Sequence, residues 1–182
     1  IPEGLVLLTS ISFILGVGRL AGKQALVQEM EAIEALARVN VLCLDKTGTI
    51  TTGALEVVEL IPFGENPERM REVMNEIAFA FDDVNATQDA LMAYFEKTEK
   101  WKIQAKIPFS SDRKYRAIVF EGEGNYVLGA PEFLVKDNKE LNEKVDACSR
   151  EGMRVLLLGK CASINMNDMT VSGVTPSGLI VI

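Results

Sequence analysis

Histidine is absent from the 182 residues. That one absence removes Ser-His-Asp and Cys-His mechanisms, histidine general bases and imidazole metal sites together. Cysteine is scarce: Cys43, Cys148 and Cys161 are odd in number and widely spaced. No close metal-type pair is visible, so buried reduced thiols in a cytosolic setting are expected. Basic charge is in deficit, with 19 Lys and Arg against 26 Asp and Glu and a net charge of -7. A nucleic-acid partner therefore has no electrostatic support. There is no internal repeat and no low-complexity stretch. No basic residue precedes the opening apolar run and no small-residue cleavage pattern closes it, so a signal peptide is not expected. The sequon Asn85-Ala86-Thr87 then reads as a helix start rather than a glycan site.

What is present begins with apolarity. Residues 1–18 are apolar except for Glu3, with Gly4, Gly16 and Gly18 among them. The run sits at the lower edge of transmembrane length, and a buried core helix is the competing expectation. Its Ile1-Pro2-Glu3-Gly4-Leu5 start combines a proline that frees a carbonyl, a carboxylate and a glycine that loosens the helix. An ionisable residue in an apolar span is expensive and usually marks an ion path. Residues 19–38 turn amphipathic, with Leu26, Met30, Ile33 and Ala37 at helical spacing among glutamates. Val39-Asn40-Val41-Leu42-Cys43-Leu44 then reads as a strand buried on both faces. It ends abruptly on Asp45-Lys46-Thr47-Gly48-Thr49. In open α/β sheets ligands bind at the carboxyl ends of strands, which would carry Asp45 to the mouth of a site. Gly48 permits a tight turn, and the threonines offer hydroxyls and N–H groups to an anion. A carboxylate beside phosphate-cradling groups suits attack on phosphorus through an aspartyl-phosphate.

Beyond Thr52-Gly53 the pattern changes. Residues 56–61 form a short strand stopped by Pro62 and Gly64. Met70, Val73, Met74, Ile77 and Phe81 lie along one helix face, which is core. A second helix starts at Asn85, capped against Gln88, with Leu91, Tyr94, Phe95 and Thr98 inward. Strands are expected over 101–109, 116–121 and 125–128, the last two joined as a hairpin through Gly122-Glu123-Gly124. Leu141, Val145 and Cys148 belong to a further helix closed by Gly152. Residues 154–159 and 178–182 are strongly apolar strands.

Asp45-Lys46-Thr47-Gly48-Thr49, continued by Ile50-Thr51, closely resembles the phosphorylation motif of P-type cation-transporting ATPases. Pro2-Glu3-Gly4-Leu5 resembles their interrupted fourth transmembrane helix, particularly in the calcium and sodium/potassium classes. Pro108-Phe109-Ser110-Ser111-Asp112-Arg113-Lys114 resembles the adenine-side motif of their nucleotide-binding domain. Gly129-Ala130-Pro131-Glu132 resembles their Lys-Gly-Ala-Pro-Glu stretch, with Leu128 in place of the lysine. Gly152-Met153-Arg154 resembles their Gly-Leu-Arg motif.

The resemblance implies a fold and a set of roles. The fold class is α/β: a partial haloacid-dehalogenase-like phosphorylation domain carrying an inserted α+β nucleotide-binding domain with an antiparallel sheet. The implied divisions are a partial transmembrane helix at 1–18, a stalk helix at 19–38, and the first part of the phosphorylation domain at 39–53. The nucleotide-binding domain would occupy 54–175 and a return strand to the sheet of Asp45 would occupy 176–182. Asp45 would be the nucleophile, with Lys46 and Thr47 beside it, and Asp45 and Thr47 would hold Mg²⁺. Phe109 would stack on adenine, Lys114 and Arg154 would approach the phosphates, and Gly129 would line the nucleotide site. Leu128 removes a cationic contact to the nucleotide that the family's lysine makes. Glu3 would be a ligand of the transported cation, and oxygen-only ligation suits a hard ion such as Ca²⁺. ATP and Mg²⁺ are the implied cofactors. The implied location is the cell membrane, within a multi-pass parent, with 19–182 cytoplasmic. Two alternatives stand beside this reading: a nucleotide-binding module without catalysis, and a phosphatase of the same haloacid-dehalogenase-like fold. The phosphatases place a second aspartate where Thr47 stands, and a threonine there favours a long-lived phosphoenzyme.

Overall fold

The computed structural model describes residues 3–45 and 49–182. They form two compact units, Ile1–Thr52 and Gly53–Ile182.

In the first unit, α1 (Glu3–Ala21) has a mean hydropathy of 1.8 and no buried residue. At 1.5 Å per residue it spans about 28 Å, close to the thickness of a bilayer's hydrocarbon core. Its hydroxyls do not stand unpaired: Thr9 and Ser10 donate to the Val6 carbonyl and Ser12 donates to that of Leu8. The helix then closes on itself. Gln24 adopts a left-handed conformation (φ 62°), its N–H bonds to the Ala21 carbonyl at 2.9 Å, and the Ala25 N–H reaches that of Leu20 at 3.0 Å. This pair of bonds is a Schellman cap. The continuous stalk helix expected over 19–38 is therefore broken, and only α2 (Glu31–Ala37) follows. Leu26, at helical spacing in the expected helix, is exposed. Apolar spacing runs on through 26, 30, 33 and 37, but it says nothing of where carbonyls are capped, and Gly18 and Gly22 weaken the helix there. Ile33 returns to pack over Gly16, where an added Cβ would lie 3.1 Å from its Cδ1.

The buried strand expected over 39–44 does not form. These residues run without regular structure, and Leu42 is 72 % exposed. A strand covered on both faces needs neighbouring strands, and the six strands of the described sheet pair with one another in the second unit. Lys46, Thr47 and Gly48 lie outside the described residues, as does the Pro2 of the expected helix interruption.

The second unit is built on one antiparallel sheet in the order β1-β6-β5-β4-β3-β2. Its strands are β1 (Glu59–Pro62), β2 (Ile103–Ile107), β3 (Tyr115–Phe120), β4 (Gly124–Gly129), β5 (Val155–Asn165) and β6 (Thr170–Val181). Alternation divides its side chains between two layers. Ile118, Phe120, Tyr126, Leu128, Leu158 and Ile180 pack with α3 (Pro67–Ala78) and α4 (Ala86–Tyr94). Leu157, Leu179 and Val155 pack on the other face with Leu134 of α5 (Pro131–Leu134) and Leu141 of α6 (Lys139–Arg150). The helices start where side chains cap them: Asn66, Asn85 and Asn138 accept from the backbone N–H groups of Glu68, Gln88 and Leu141. Each such cap stabilises by about 1 kcal/mol. Gly152 (φ 82°) ends α6, with the Met153 N–H bonded to the Cys148 carbonyl. The five core positions from Met70 to Phe81 are all buried.

Two strands differ from expectation. β5 and β6 form a long hairpin reaching Asn165 and Thr170, far beyond the apolar runs at 154–159 and 178–182. Its outer part packs Ile164, Val171 and Val174 on a small cluster with Cys161 and Val127, and the Ser163–Ser172 hydroxyl pair at 2.8 Å and Asn165 bonding the Asn167 N–H add local support to its register. The strand expected at 176–182 is the end of β6 in this sheet. Ile180 pairs with Leu60 on one side and Leu156 on the other, one strand in from the edge of the second unit's sheet. The strand is buried on both faces as expected, but that pattern is the same in either sheet.

Two consequences can be measured. Glu76 is buried, and its carboxylate accepts from Thr98 Oγ1 (2.6 Å) and the N–H groups of Lys100 (3.0 Å) and Trp101 (3.4 Å). It pins the segment between α4 and β2 onto α3. Glu76→Ala is expected to destabilise by about 2 kcal/mol, because it orphans these donors; urea titration would show a lower midpoint at constant slope. Cys161 is buried, and burial pushes its thiol up to about 12. At pH 8 roughly one molecule in 10⁴ carries the thiolate. Iodoacetamide is expected to label the exposed Cys43 and to spare Cys161 until denaturant is added. The neutral thiol is the folded form, so its contribution to stability holds below the unfolded value near pH 9 and declines as pH rises toward 12.

Candidate functional site

The motif residues of the second unit gather at one end of the sheet. β3 starts there, β4 ends there and β5 starts there, since Tyr115 pairs with Gly129 and Gly129 with Leu157. The turn from Pro108 to Lys114 leads into it. The Lys114 N–H closes the turn on the Ser110 carbonyl at 2.7 Å, with Lys114 itself left-handed at φ 60°. Asp112 N–H reaches Ser110 Oγ at 3.3 Å, and Arg113 Nη2 donates to the Pro108 carbonyl at 3.1 Å. Phe109 is carried on this turn with its ring 46 % exposed. An exposed aromatic face on a hydrogen-bonded turn can stack on a planar ring.

The second motif is fastened to the first. The Ala130 N–H donates to the Lys114 carbonyl at 2.9 Å. Gly129 is packed so closely against β3 that a Cβ would lie 2.4 Å from Tyr115 Cβ and 2.5 Å from the Lys114 carbonyl oxygen. Phe109, Lys114 and Gly129 thus belong to one local structure. Arg154 lies at the same end, where its backbone exchanges two 2.8 Å bonds with Ile182. Its side chain turns to α4 and donates to Thr87 Oγ1 at 2.8 Å. Leu128 is buried in the α3/α4 layer.

Sequence reasoning missed a polar cluster one residue pair further in. Arg116 follows Lys114 by two positions and points into the α3/α4 layer with its side chain 7 % exposed. Its Nη1 donates to Gln88 Oε1 at 2.6 Å and lies 3.5 Å from Asp83 Oδ2. Gln88 is buried and donates its amide to the carbonyls of Ala78 and Phe81. The Phe81 ring sits 4.8 Å from the Arg116 guanidinium and 5.7 Å from Lys106 Nζ. Burial pushes the Arg116 guanidinium down to about 10 while Asp83 opposes the fall, so it stays charged at neutral pH. The available signal was an arginine at an inward position of the otherwise apolar strand Tyr115–Phe120.

Asp45 belongs to the other unit and is exposed. Lys46 and Thr47, expected beside it, lie outside the described residues. Glu3 opens α1 and is exposed. Among the described residues no group of three or more His, Cys, Asp or Glu side chains could enclose a metal ion. The donor chemistry at Asp45 is one carboxylate. That fits Mg²⁺, which takes one or two carboxylates together with substrate phosphates rather than a protein cage.

No family model matches the chain. Curated relatives do. Over its whole length the chain is 39 % identical to proteins named calcium-transporting ATPase CtpE in Mycobacterium bovis and Mycobacterium tuberculosis. Over 87 % of its length it is 41 % identical to the probable cation-transporting ATPase exp7 of Streptococcus pneumoniae. It spans 23 % of the length of the first two and 20 % of the third. With the phosphorylation-type motif, the nucleotide-type motifs and this similarity aligned along one chain, the chain belongs to the P-type cation-transporting ATPases.

Proposed function

We propose that the chain is the phosphorylation and ATP-binding segment of a cation pump that works through an aspartyl-phosphate. The observation that carries this reading is the meeting of the Phe109 turn and the Gly129 loop at one sheet end, joined by the Ala130–Lys114 bond, in a chain similar throughout to named cation-transporting ATPases. In this reading α1 lies in the membrane, residues 39–52 begin a haloacid-dehalogenase-like domain, and 53–182 are the nucleotide-binding insert.

The chemistry follows from the residues. Phe109 stacks on the adenine, and the Lys114 ammonium draws in the phosphates. An Asp45 carboxylate oxygen forms a bond to the terminal phosphorus as the bond to the bridging oxygen breaks. ADP departs with that electron pair. Lys46 offsets charge on the incoming phosphate, and the Thr47 hydroxyl donates to the phosphoryl oxygens. Mg²⁺, held by Asp45, Thr47 and the phosphate, would neutralise charge on the transferring group. Thr47 cannot take a proton from water near neutral pH, so the acyl phosphate persists long enough to shift the equilibrium between two transport states. Glu3 holds the cation, for which the relatives' names favour Ca²⁺. The decisive assay is ATP hydrolysis by the full-length parent with a panel of cations. Selective stimulation by Ca²⁺ supports the reading, and indifference to every cation refutes it.

A second reading, a nucleotide-binding module without catalysis, is favoured by one observation: Gly53–Ile182 is a compact unit with its own cores. NMR titration of the chain with ATP separates the two. Shifts at Phe109 and Lys114 with none around Asp45 would support the module.

A further inference from the structure

We infer that Arg116 supplies, from the neighbouring strand, the cationic nucleotide contact that Leu128 does not make, and that it donates to the purine ring. This rests on the nucleotide reading given above and adds to it a specific buried donor.

Register is the first argument. Arg116 and Leu128 are Cα partners in the β3–β4 ladder, so their side chains leave the same face with Cβ atoms about 5 Å apart. Leu128 fills the core with apolar volume, and the Arg116 guanidinium starts from the position directly across the strand pair from it. The position is one pair inward from Tyr115–Gly129, immediately behind the sheet end where the Phe109 turn and the Gly129 loop meet.

The second argument is an unfinished hydrogen-bond account. Arg116 is 6 % exposed, yet among the described residues its Nη2 has no acceptor. Both of its polar contacts, to Gln88 and to Asp83, are made through Nη1. Gln88 donates its amide to the Ala78 and Phe81 carbonyls, and its oxygen accepts from Nη1 but not from Nη2. Phe81 braces the guanidinium from one side. These contacts hold the group by Nη1 and leave Nη2 without an acceptor among the described residues. A buried donor without a partner costs about 1–3 kcal/mol, more when charged, and such groups call for an explanation in function or in a bound molecule.

Charge selects the acceptor. Asp83 lies 3.5 Å from Nη1 and offsets much of the arginine's charge, and a triphosphate drawn to a group only 6 % exposed would lose its hydration. A neutral aromatic nitrogen meets both conditions. The ring of a purine stacked on Phe109 offers such nitrogens, while the phosphates remain with Lys114 at the surface.

The test uses the full chain in detergent micelles, with adenosine and ATP as probes and amide NMR as the readout. Arg116→Met keeps the aliphatic stem. It is expected to weaken adenosine and ATP by the same factor, at least tenfold, with a dispersed spectrum showing that the fold is kept. Adding Leu128→Lys to that variant is expected to restore binding from across the strand. A loss confined to ATP, or equal affinity in wild type and Arg116→Met, overturns the assignment. In the wild-type chain the Arg116 side-chain N–H signals must move and gain exchange protection as adenosine saturates, and signals that ignore it overturn the assignment even if the variant does not fold. Failure of wild type to bind either probe refutes the nucleotide reading itself, and this contact with it.

Discussion

Asparagine at position 45 is expected to leave the full-length parent without any phosphoenzyme. The substitution is nearly isosteric, but the amide is neutral and its oxygen is a poor nucleophile, so the covalent route through an acyl phosphate closes. Loss of a nucleophile is a loss of roughly four orders of magnitude or more in turnover, equivalent to about 5.5 kcal/mol of barrier. Wild type given radiolabelled ATP, Mg²⁺ and its transported cation should incorporate label that survives acid and is released by hydroxylamine. Asp45→Asn should show none. Asp45 is exposed and belongs to a different unit from the nucleotide motifs, so the variant should bind ATP as wild type does. That second readout separates lost chemistry from lost folding. Hydroxylamine-sensitive label persisting in the variant would disprove the assignment of Asp45.

Gly129→Ala carries the largest expected effect on stability, and a comparison of glycines shows why. At Gly178 an added Cβ would meet the Met70 Sδ at 2.2 Å, the end of a flexible side chain that can swing away. At Gly122 it would meet nothing within 4 Å, leaving only the strain of its left-handed backbone (φ 78°), about 1 kcal/mol. At Gly129 the obstacles are Tyr115 Cβ and Cα and the Lys114 carbonyl oxygen, at 2.4, 2.6 and 2.5 Å. None can move unless β3 moves. Parting the strands there breaks the Tyr115–Gly129 pairing and the bond from Ala130 to Lys114. The expected cost is about 3 kcal/mol or more, which is a large share of the stability of a domain this size. Urea unfolding would measure it directly. Nucleotide binding should fall in parallel, because the same contact joins the two motif loops. Unchanged stability with lost binding would instead make Gly129 a pure ligand contact.

Much of this molecule is legible in order along the chain because many of its signals are local. A helix period of 3.6 residues, an asparagine beside a free N–H, or a glycine at a left-handed cap acts within one or two turns. The core face from Met70 to Phe81, the caps at Asn85 and Gly152 and the Gly122 hairpin could all be read from neighbours in sequence. The motifs too are contiguous runs, which is why Asp45, Phe109, Lys114, Gly129 and Arg154 stood out. Apart from the local cap at Gln24 that breaks the helix expected over 19–38, what failed was non-local. An apolar strand carries no mark of its partners, so 39–44 and 178–182 looked like members of one sheet. In the structure the former is unpaired and the latter pairs with β1 and β5. The outer arm of the β5–β6 hairpin has no continuous apolar run to announce it and exists because each strand supplies the other's hydrogen bonds and their scattered apolar residues meet the cluster around Val127.

By itself, then, the sequence determined the family and the caps and core faces of α3, α4 and α6, all of which depend on residues adjacent in the chain. Tertiary structure alone decided which strands pair, why Gly129 admits no side chain, and that Arg116 lies across from Leu128. Those are facts of distance between residues far apart in sequence, and cross-strand register is set by the whole sheet at once.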